Sequence, residues 1–159
     1  MNDASKIIEF VDVDVPVATA YNQWTQFEEF PRFMEGVEAV RQLDDATLEW
    51  KADIGGVRKE WTAEITEQTP DTRIAWKSTS GARNAGVVTF HRLSDACSRV
   101  TLQLDYEPEG VVENVGDMLG LVSRKTKGDL ERFKTFIEGQ GQATGAFRGT
   151  IAAPQSSRS

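Results

Sequence analysis

The sequence predicts an α+β fold in which a curved antiparallel sheet of six or seven strands wraps around one long C-terminal helix. Two patterns carry this prediction. From about Val37 to Pro108, apolar and polar residues alternate, which is typical of half-buried strands. From about Val112 to Glu138, apolar residues recur every three or four positions, which is typical of an amphipathic helix. A sheet covered by one helix leaves room for an apolar hollow between the two layers.

Composition is consistent with one globular domain over residues 1–138. The chain has 159 residues, 39% of them hydrophobic and 27% charged, with a net charge of −7. This acidic balance disfavours binding to nucleic acid or to anionic lipid surfaces. The segment Met1–Lys6 lacks an apolar signal core and no stretch reaches transmembrane length, so we expect a cytoplasmic protein without integral membrane association.

The first strand is predicted over Lys6–Val15, which is rich in Ile, Val and Phe. Pro16 follows it, at a position where proline favours the start of a helix. Aromatic residues then recur at helical spacing through Trp24–Met34. Because Pro31 interrupts this segment, we expect two short helices rather than one.

Between Val37 and Pro108 the strands are separated by short turns, so neighbours in the chain are predicted to pair antiparallel. Gly55 and Gly56 form one such hairpin signal, because both residues tolerate positive φ. Further strands are predicted at Thr47–Ile54, Val57–Ile65, Arg73–Ser78, Asn84–Leu93 and Ser98–Glu107.

The terminal helix is predicted to cover the sheet with a stripe that includes Val115, Leu119 and Phe133. Gly116 and Gly120 lie at the shoulder of this stripe, where they either weaken and bend the helix or leave room for a ligand. Residues 139–159 are rich in Gly, Gln and Ser, and we expect them to form a flexible tail.

Two segments resemble a known family. One is Trp24-x-x-Phe27-x-x-Phe30-Pro31-x-Phe33-Met34, and the other is Asp129–Glu138. Together with the order of elements from Lys6 to Glu138, they resemble the polyketide cyclase/dehydrase group of the START-like (SRPBCC) helix-grip superfamily. The resemblance implies a helix-grip fold. It does not select a function, since the superfamily includes lipid carriers, quinone binders, aromatase/cyclases and hormone receptors.

Alternation and the helical stripe predict which large apolar side chains face the hollow. These residues are candidates for ligand binding, although large aromatic residues facing a helix are equally consistent with a solidly packed core. The candidates are Trp50, Trp61, Trp76, Phe90, Leu102, Leu104, Tyr106, Val115 and Leu119.

Candidates for catalysis are few. Tyr106 offers a hydroxyl inside the predicted hollow, and Lys59 interrupts the apolar side of its strand, so both are weak candidates for moving protons. His91, the sole histidine, is predicted on the outer face, and Cys97, the sole cysteine, lies at a turn. We therefore predict neither a nucleophile–base pair, nor a metal site, nor a bound cofactor.

Three functions remain open from the sequence. The leading one is the binding, transport or presentation of a small hydrophobic ligand such as a polyketide, isoprenoid or lipid, because an apolar cavity stabilises such molecules by removing their surface from water. The second is a polyketide aromatase/cyclase acting on a poly-β-keto chain. The third is a protein-interaction or toxin-like role, with the protein partner unknown.

Overall fold

The computed structural model describes residues 6–54, 56–81, 84–106 and 115–152, without the side chains of 54, 106 and 115–119. Within these ranges, seven strands form one antiparallel sheet in the order β1-β7-β6-β5-β4-β3-β2. This confirms the predicted α+β fold. The strands are β1 Lys6–Val13, β2 Val37–Asp44, β3 Thr47–Ile54, β4 Val57–Thr69, β5 Arg73–Gly81, β6 Asn84–Ser94 and β7 Cys97–Tyr106.

Two short helices separate β1 from β2, as predicted. Helix α1 spans Val17–Trp24 and begins directly after Pro16, whose backbone is still extended. A 3₁₀ helix, Phe27–Arg32, follows and contains Pro31. The aromatic side chains of this region point inward, and Trp24, Phe27, Phe30 and Phe33 are all buried.

The long C-terminal helix, α2, spans Val115–Gln140. It agrees with the predicted helix, although Val112 lies outside the described residues. Val122, Leu130, Phe133 and Ile137 are buried between α2 and the sheet, as the apolar stripe predicted. In the described part of the chain, no helix is both long and apolar enough to cross a bilayer.

One end of the space between sheet and helix is a solid aromatic core. Trp24 packs edge-on against Phe133, with ring centroids 5.0 Å apart, and contacts Phe90 at 6.3 Å. Tyr21 also packs against Phe90, at 5.3 Å. T-shaped contacts at these distances are favourable beyond the apolar area they bury. The cavity adjoins this core, because Trp24 also belongs to its lining.

Part of the chain after α2 makes hydrogen bonds with the rest of the domain. Residues 141–152, here called the C-terminal segment, run back along α1 and the end of β4. The Gln23 side chain is bonded to Thr144 at 2.9 and 3.0 Å, and Ile151 forms two backbone hydrogen bonds with Gln68. Gln68 and Ile151 are 83 residues apart in sequence, and Gln23 and Thr144 are 121 apart, so local composition does not reveal these contacts. Residues 153–159 of the predicted tail lie outside the described ranges.

Candidate ligand cavity

A cavity of about 160 Å³ lies between α2, the 3₁₀ helix and the concave face of the sheet. Its walls are mostly apolar. All four tryptophans of the chain line it, as do Leu102 and Leu104 from β7. The sequence predicted five of these wall residues by alternation alone, namely Trp50, Trp61, Trp76, Leu102 and Leu104.

Trp50 and Trp61 form a stacked pair in the cavity wall. They lie directly opposite each other on β3 and β4, and their rings are nearly parallel, with centroids 5.6 Å apart. Phe30 supports the pair, with its ring centroid 5.7 Å from that of Trp50. The Phe30 ring is tilted by 54° from that of Trp50, so the three rings form a continuous aromatic wall that is not planar.

The stacked indoles carry a polar feature that the apolar pattern conceals. The Nε1 atoms of Trp50 and Trp61 are buried, and neither has a hydrogen-bond partner among the described residues. A buried N–H group without a partner costs about 1–3 kcal/mol.

Trp76 is positioned by a glycine on the neighbouring strand. Gly86 lies opposite Trp76 on β6, and a Cβ atom there would come within 2.6 Å of the Trp76 ring and 2.8 Å of the Gln103 carbonyl oxygen. The missing side chain therefore lets the indole lie flat against the sheet. This arrangement leaves space between Trp76 and α2.

The other predicted wall residues have different outcomes. Phe90 faces inward as predicted, but it lies in the aromatic core against Tyr21 and Trp24 rather than in the cavity wall. The reason is its position along β6. Phe90 pairs with Val100, at the end of the sheet close to α1, whereas the cavity lies toward Leu102 and Leu104. Tyr106, Val115 and Leu119 belong to described strands or helices, but their side chains lie outside the description.

Part of the wall escaped the sequence prediction. Trp24, Phe27, Phe30 and Met34 contribute to the cavity from α1, the 3₁₀ helix and the turn after it. Their spacing of three or four residues was the available signal, because it puts them on one face of a helical segment. The spacing does not reveal that this face packs against the concave side of the sheet and closes part of the cavity.

Half of the polar residues in the wall come from α2. Lys125, Thr126 and Asp129 line the cavity, although Lys125 lies off the apolar stripe in sequence. The Asp129 carboxylate is buried and accepts hydrogen bonds from Lys125 at 3.0 Å, from Arg132 at 2.5 Å and from the Glu35 backbone N–H at 3.0 Å. Three donors therefore occupy both oxygens of this buried carboxylate.

From the sheet, Lys59 and Asn84 also line the cavity. Lys59 lies opposite the buried Ala52 on β3, so it occupies the concave side of β4 as the sequence predicted. The cavity thus combines apolar walls with a few charged and amide groups. Such a combination binds and orients a ligand, while the apolar area supplies most of the binding energy.

His91 and Cys97 lie away from this site. His91 is exposed on the outer face of β6, as predicted. Cys97 is half-buried at the start of β7, where burial and the Asp14 carboxylate raise the pKa of its thiol. A thiol with a raised pKa is a poor nucleophile at neutral pH. Among the described residues, no group of His, Cys, Asp and Glu side chains has the arrangement of a metal site.

Comparison with known proteins agrees with this architecture. A curated relative, an uncharacterized 17.2 kDa protein from the melC2-rnhH intergenic region of Streptomyces lincolnensis, is 58% identical over 148 residues, which are 92% of this chain and 99% of the relative. A solved structure from Deinococcus radiodurans is 27% identical, with a TM-score of 0.67 over 85% of this chain and 98% of that one.

The fold is shared with a cyclase of known structure. The Zhui aromatase/cyclase from Streptomyces sp. R1128 has a TM-score of 0.73 at 16% identity, over 89% of this chain and 98% of that chain. A START superfamily protein from Mycobacterium smegmatis has a TM-score of 0.69 at 15% identity, over 85% and 95%. The family model described as polyketide cyclase / dehydrase and lipid transport matches residues 13–135. This chain therefore belongs to the polyketide cyclase/dehydrase and lipid transport family and has the START-like helix-grip fold.

Proposed function

We propose that this protein binds a small hydrophobic molecule that carries one or more oxygen acceptors. The observation that supports this most directly is the cavity of about 160 Å³ whose wall includes all four tryptophans. Moving apolar ligand surface out of water contributes about 25 cal/mol per Å². The unpartnered indole N–H groups of Trp50 and Trp61 favour a ligand with a carbonyl or hydroxyl group over a pure hydrocarbon.

The size of the cavity limits the ligand. An engineered cavity of about 150 Å³ binds benzene, whereas pockets for drug-sized ligands have volumes of about 300–1,000 Å³. A volume of about 160 Å³ thus matches a compact molecule of one or two rings. A long acyl or poly-β-keto chain would need the cavity to open further.

A second candidate function is the cyclisation of a short keto compound. It is favoured by the polar groups of the cavity, since Lys59, Lys125 and Asp129 lie in the same wall that would hold the substrate. The fold neighbour described as an aromatase/cyclase is in line with this alternative. Binding without chemistry ranks first because both oxygens of Asp129 are already occupied by hydrogen bonds to Lys125, Arg132 and the Glu35 N–H.

The test is to fill the cavity and measure binding. Ala52 is buried in the cavity wall, so Ala52→Leu puts extra side-chain volume into the space a ligand would use. We expect wild-type protein to bind 2-naphthol and Ala52→Leu to bind it at least about tenfold more weakly, as measured by isothermal titration calorimetry.

Ala39→Leu is the matched control, because Ala39 is exposed on β2 and the same atoms are added outside the cavity. We expect its affinity to equal that of the wild type. Equal affinity of Ala52→Leu and wild type for 2-naphthol would contradict binding in this cavity. Release of a cyclised product from a short diketo ester, measured by mass spectrometry, would favour the second candidate instead.

A further inference from the structure

We infer that Gly86 and Trp76 together set the size of the ligand, so that the cavity admits a molecule of two fused rings and excludes one of three. This inference rests on the proposed binding function and adds a positioning residue, Gly86, which acts through Trp76. It starts from a gap in the concave face of the sheet. Five strands each contribute one residue to a row across this face, and Gly86 alone among them lacks a large apolar side chain: Ile65, Trp76, Gly86, Leu104 and Ile7.

The Trp76 ring fills the gap that Gly86 leaves. A Cβ atom on Gly86 would lie 2.6 Å from Cζ2 and 2.9 Å from Cη2 of Trp76, which are atoms at the far end of the indole. The ring therefore reaches from β5 across the backbone of β6. Glycine in the interior of a strand commonly marks such a close approach.

A side chain at position 86 would push the indole into the cavity. Carbon atoms in contact are about 3.5–4.0 Å apart, so a methyl group on residue 86 would displace the ring by about 1 Å. The methyl group has no free space within the sheet, since the Gln103 carbonyl oxygen would lie 2.8 Å from it. The ring therefore moves away from the sheet, toward the part of the wall that Val122 and Thr126 of α2 form.

In a cavity of this size, such a displacement decides which ligands fit. The volume is about 160 Å³, whereas an engineered cavity of about 150 Å³ already binds benzene. Little room remains beyond a two-ring molecule, so the position of one indole separates ligands that differ by a ring. Trp50 and Trp61 stack on each other, and their positions do not depend on Gly86. Trp76 is therefore the part of the aromatic wall that residue 86 controls.

The experiment measures the binding of phenol, 2-naphthol and 9-phenanthrol by isothermal titration calorimetry. These probes have one, two and three rings and one hydroxyl group each. Wild-type protein should bind 2-naphthol most tightly and 9-phenanthrol at least about tenfold more weakly. Gly86→Ala should weaken the binding of 2-naphthol at least about tenfold and that of phenol less than about threefold. Trp76→Phe should instead tighten the binding of 9-phenanthrol, because the phenylalanine side chain is too short to place atoms where Cζ2 and Cη2 lie.

The protein that carries both substitutions separates positioning from general damage to the sheet. In the Trp76→Phe background, Gly86→Ala has no indole to displace, so it should change the affinity for 2-naphthol less than about threefold. Gly139→Ala is the control, since a Cβ atom there meets no other atom within 4 Å. It should bind all three probes as the wild type does.

Equal weakening of phenol and 2-naphthol in Gly86→Ala, or unchanged binding of 2-naphthol, would overturn the inference and leave the proposed function standing. A tenfold loss that persists in the Trp76→Phe background would overturn it as well. If Gly86→Ala does not fold, 9-phenanthrol decides, because equal affinity of wild type and Trp76→Phe for this probe contradicts the inference. The failure of the wild type to bind any of the three probes would contradict the proposed function itself.

Discussion

Tyr21 and Gln68 are fully buried polar side chains that hold α1 against the sheet. Tyr21 is 0% and Gln68 1% exposed, and Gln68 Nε2 donates a 3.0 Å hydrogen bond to the Tyr21 hydroxyl oxygen. Buried amides need their partners, because an unmet donor loses its hydration without replacement. The Gln68 Oε1 atom already has no partner among the described residues. This position is therefore sensitive to any further loss of hydrogen bonding.

Replacing Tyr21 by phenylalanine should lower the free energy of unfolding by about 1–3 kcal/mol, because the Gln68 amide loses its partner. The loss should also change with pH. Burial raises the pKa of the Tyr21 hydroxyl above its usual value of 10.0. Above pH 10.0 the unfolded chain ionises this group first, so wild-type stability falls as pH rises toward the folded-state pKa.

Tyr21→Phe lacks this titration, so the stability gap between the two proteins should narrow above that pH. Urea unfolding at neutral and alkaline pH measures it. A constant gap would show that Tyr21 ionises equally easily in the folded and unfolded states, and a gap that widens with rising pH would show that it ionises more easily in the folded protein.

The outermost strands of the sheet are protected by charged side chains from the helical elements. On β1, Lys134 of α2 donates to the Asp12 carbonyl at 3.1 Å. Just beyond β1, Glu138 accepts from the Asp14 N–H at 2.8 Å. On β2, the Gln42 N–H donates to Glu28 at 3.0 Å. Unpaired strand edges are sites where other chains can add, and these contacts occupy donors and acceptors that would serve such pairing.

Glu138→Gln should loosen the contact between α2 and β1. Because Glu138 and Lys134 are partly exposed, at 28% and 35%, solvent screening limits the expected loss of unfolding free energy to about 0.5–1 kcal/mol. Lys134 and the Asp14 N–H lower the pKa of Glu138 below 4.5. The stabilisation is thus present at neutral pH and is lost as pH falls through the lowered pKa.

Urea unfolding near neutral pH and well below pH 4.5 tests this contact. Wild type and Glu138→Gln should differ at neutral pH and become alike in acid. Glu131→Gln is the matched control, since Glu131 is exposed on the same helix, and it should resemble the wild type throughout. A larger loss in the control than in Glu138→Gln would assign the effect to the net charge of the helix.

For the molecule as a whole, the sequence predicted which side of the sheet a residue faces better than it predicted which neighbours the residue contacts there. Alternation placed Trp50, Trp61 and Trp76 on the concave side, because a strand has a strict period of two. It also placed Phe90 on the inner face. Whether an inward residue lies in the core or in the cavity wall depends on its position along the strand relative to the helices, and that position is set by contacts distant in sequence. Phe90 lies in the core because it contacts Tyr21 and Trp24.

The polar residues of the cavity wall were also hard to predict, because their surroundings depend on contacts distant in sequence. Lys125 lies off the apolar stripe of α2, so helical periodicity assigns it to the solvent side. In the structure, the turn at Glu35 and Gly36 folds over that side of the helix and encloses Lys125 and Asp129. The enclosing turn and the helix are nearly 100 residues apart, as the Glu35–Asp129 separation of 94 shows. Local pattern carries no information on such a contact.

Whether the C-terminal segment stays bound to the domain depends on two free-energy terms of similar size, the hydrogen bonds it forms and the conformational entropy it loses. Its backbone bonds to Gln68, its bonds to Gln23 and the Phe147 N–H bond to Thr25 each contribute about 0.5–1.5 kcal/mol. Ordering the segment costs about 1–2 kcal/mol for each residue fixed. Since Phe147 and Ile151 are partly buried, the apolar area they add is modest.

We therefore expect the C-terminal segment to detach readily while the rest of the domain stays folded, as the polar, glycine-rich sequence suggested. Hydrogen exchange should show much weaker protection for the Ile151 N–H, although it is bonded at 2.9 Å to Gln68, than for the N–H of the fully buried Val88 on β6. A chain ending at Gly141 should keep its fold and its affinity for 2-naphthol, because the cavity wall is built from residues before that point. Protection of Ile151 equal to that of Val88, or loss of ligand binding in the shortened chain, would show instead that the segment is an integral part of the domain.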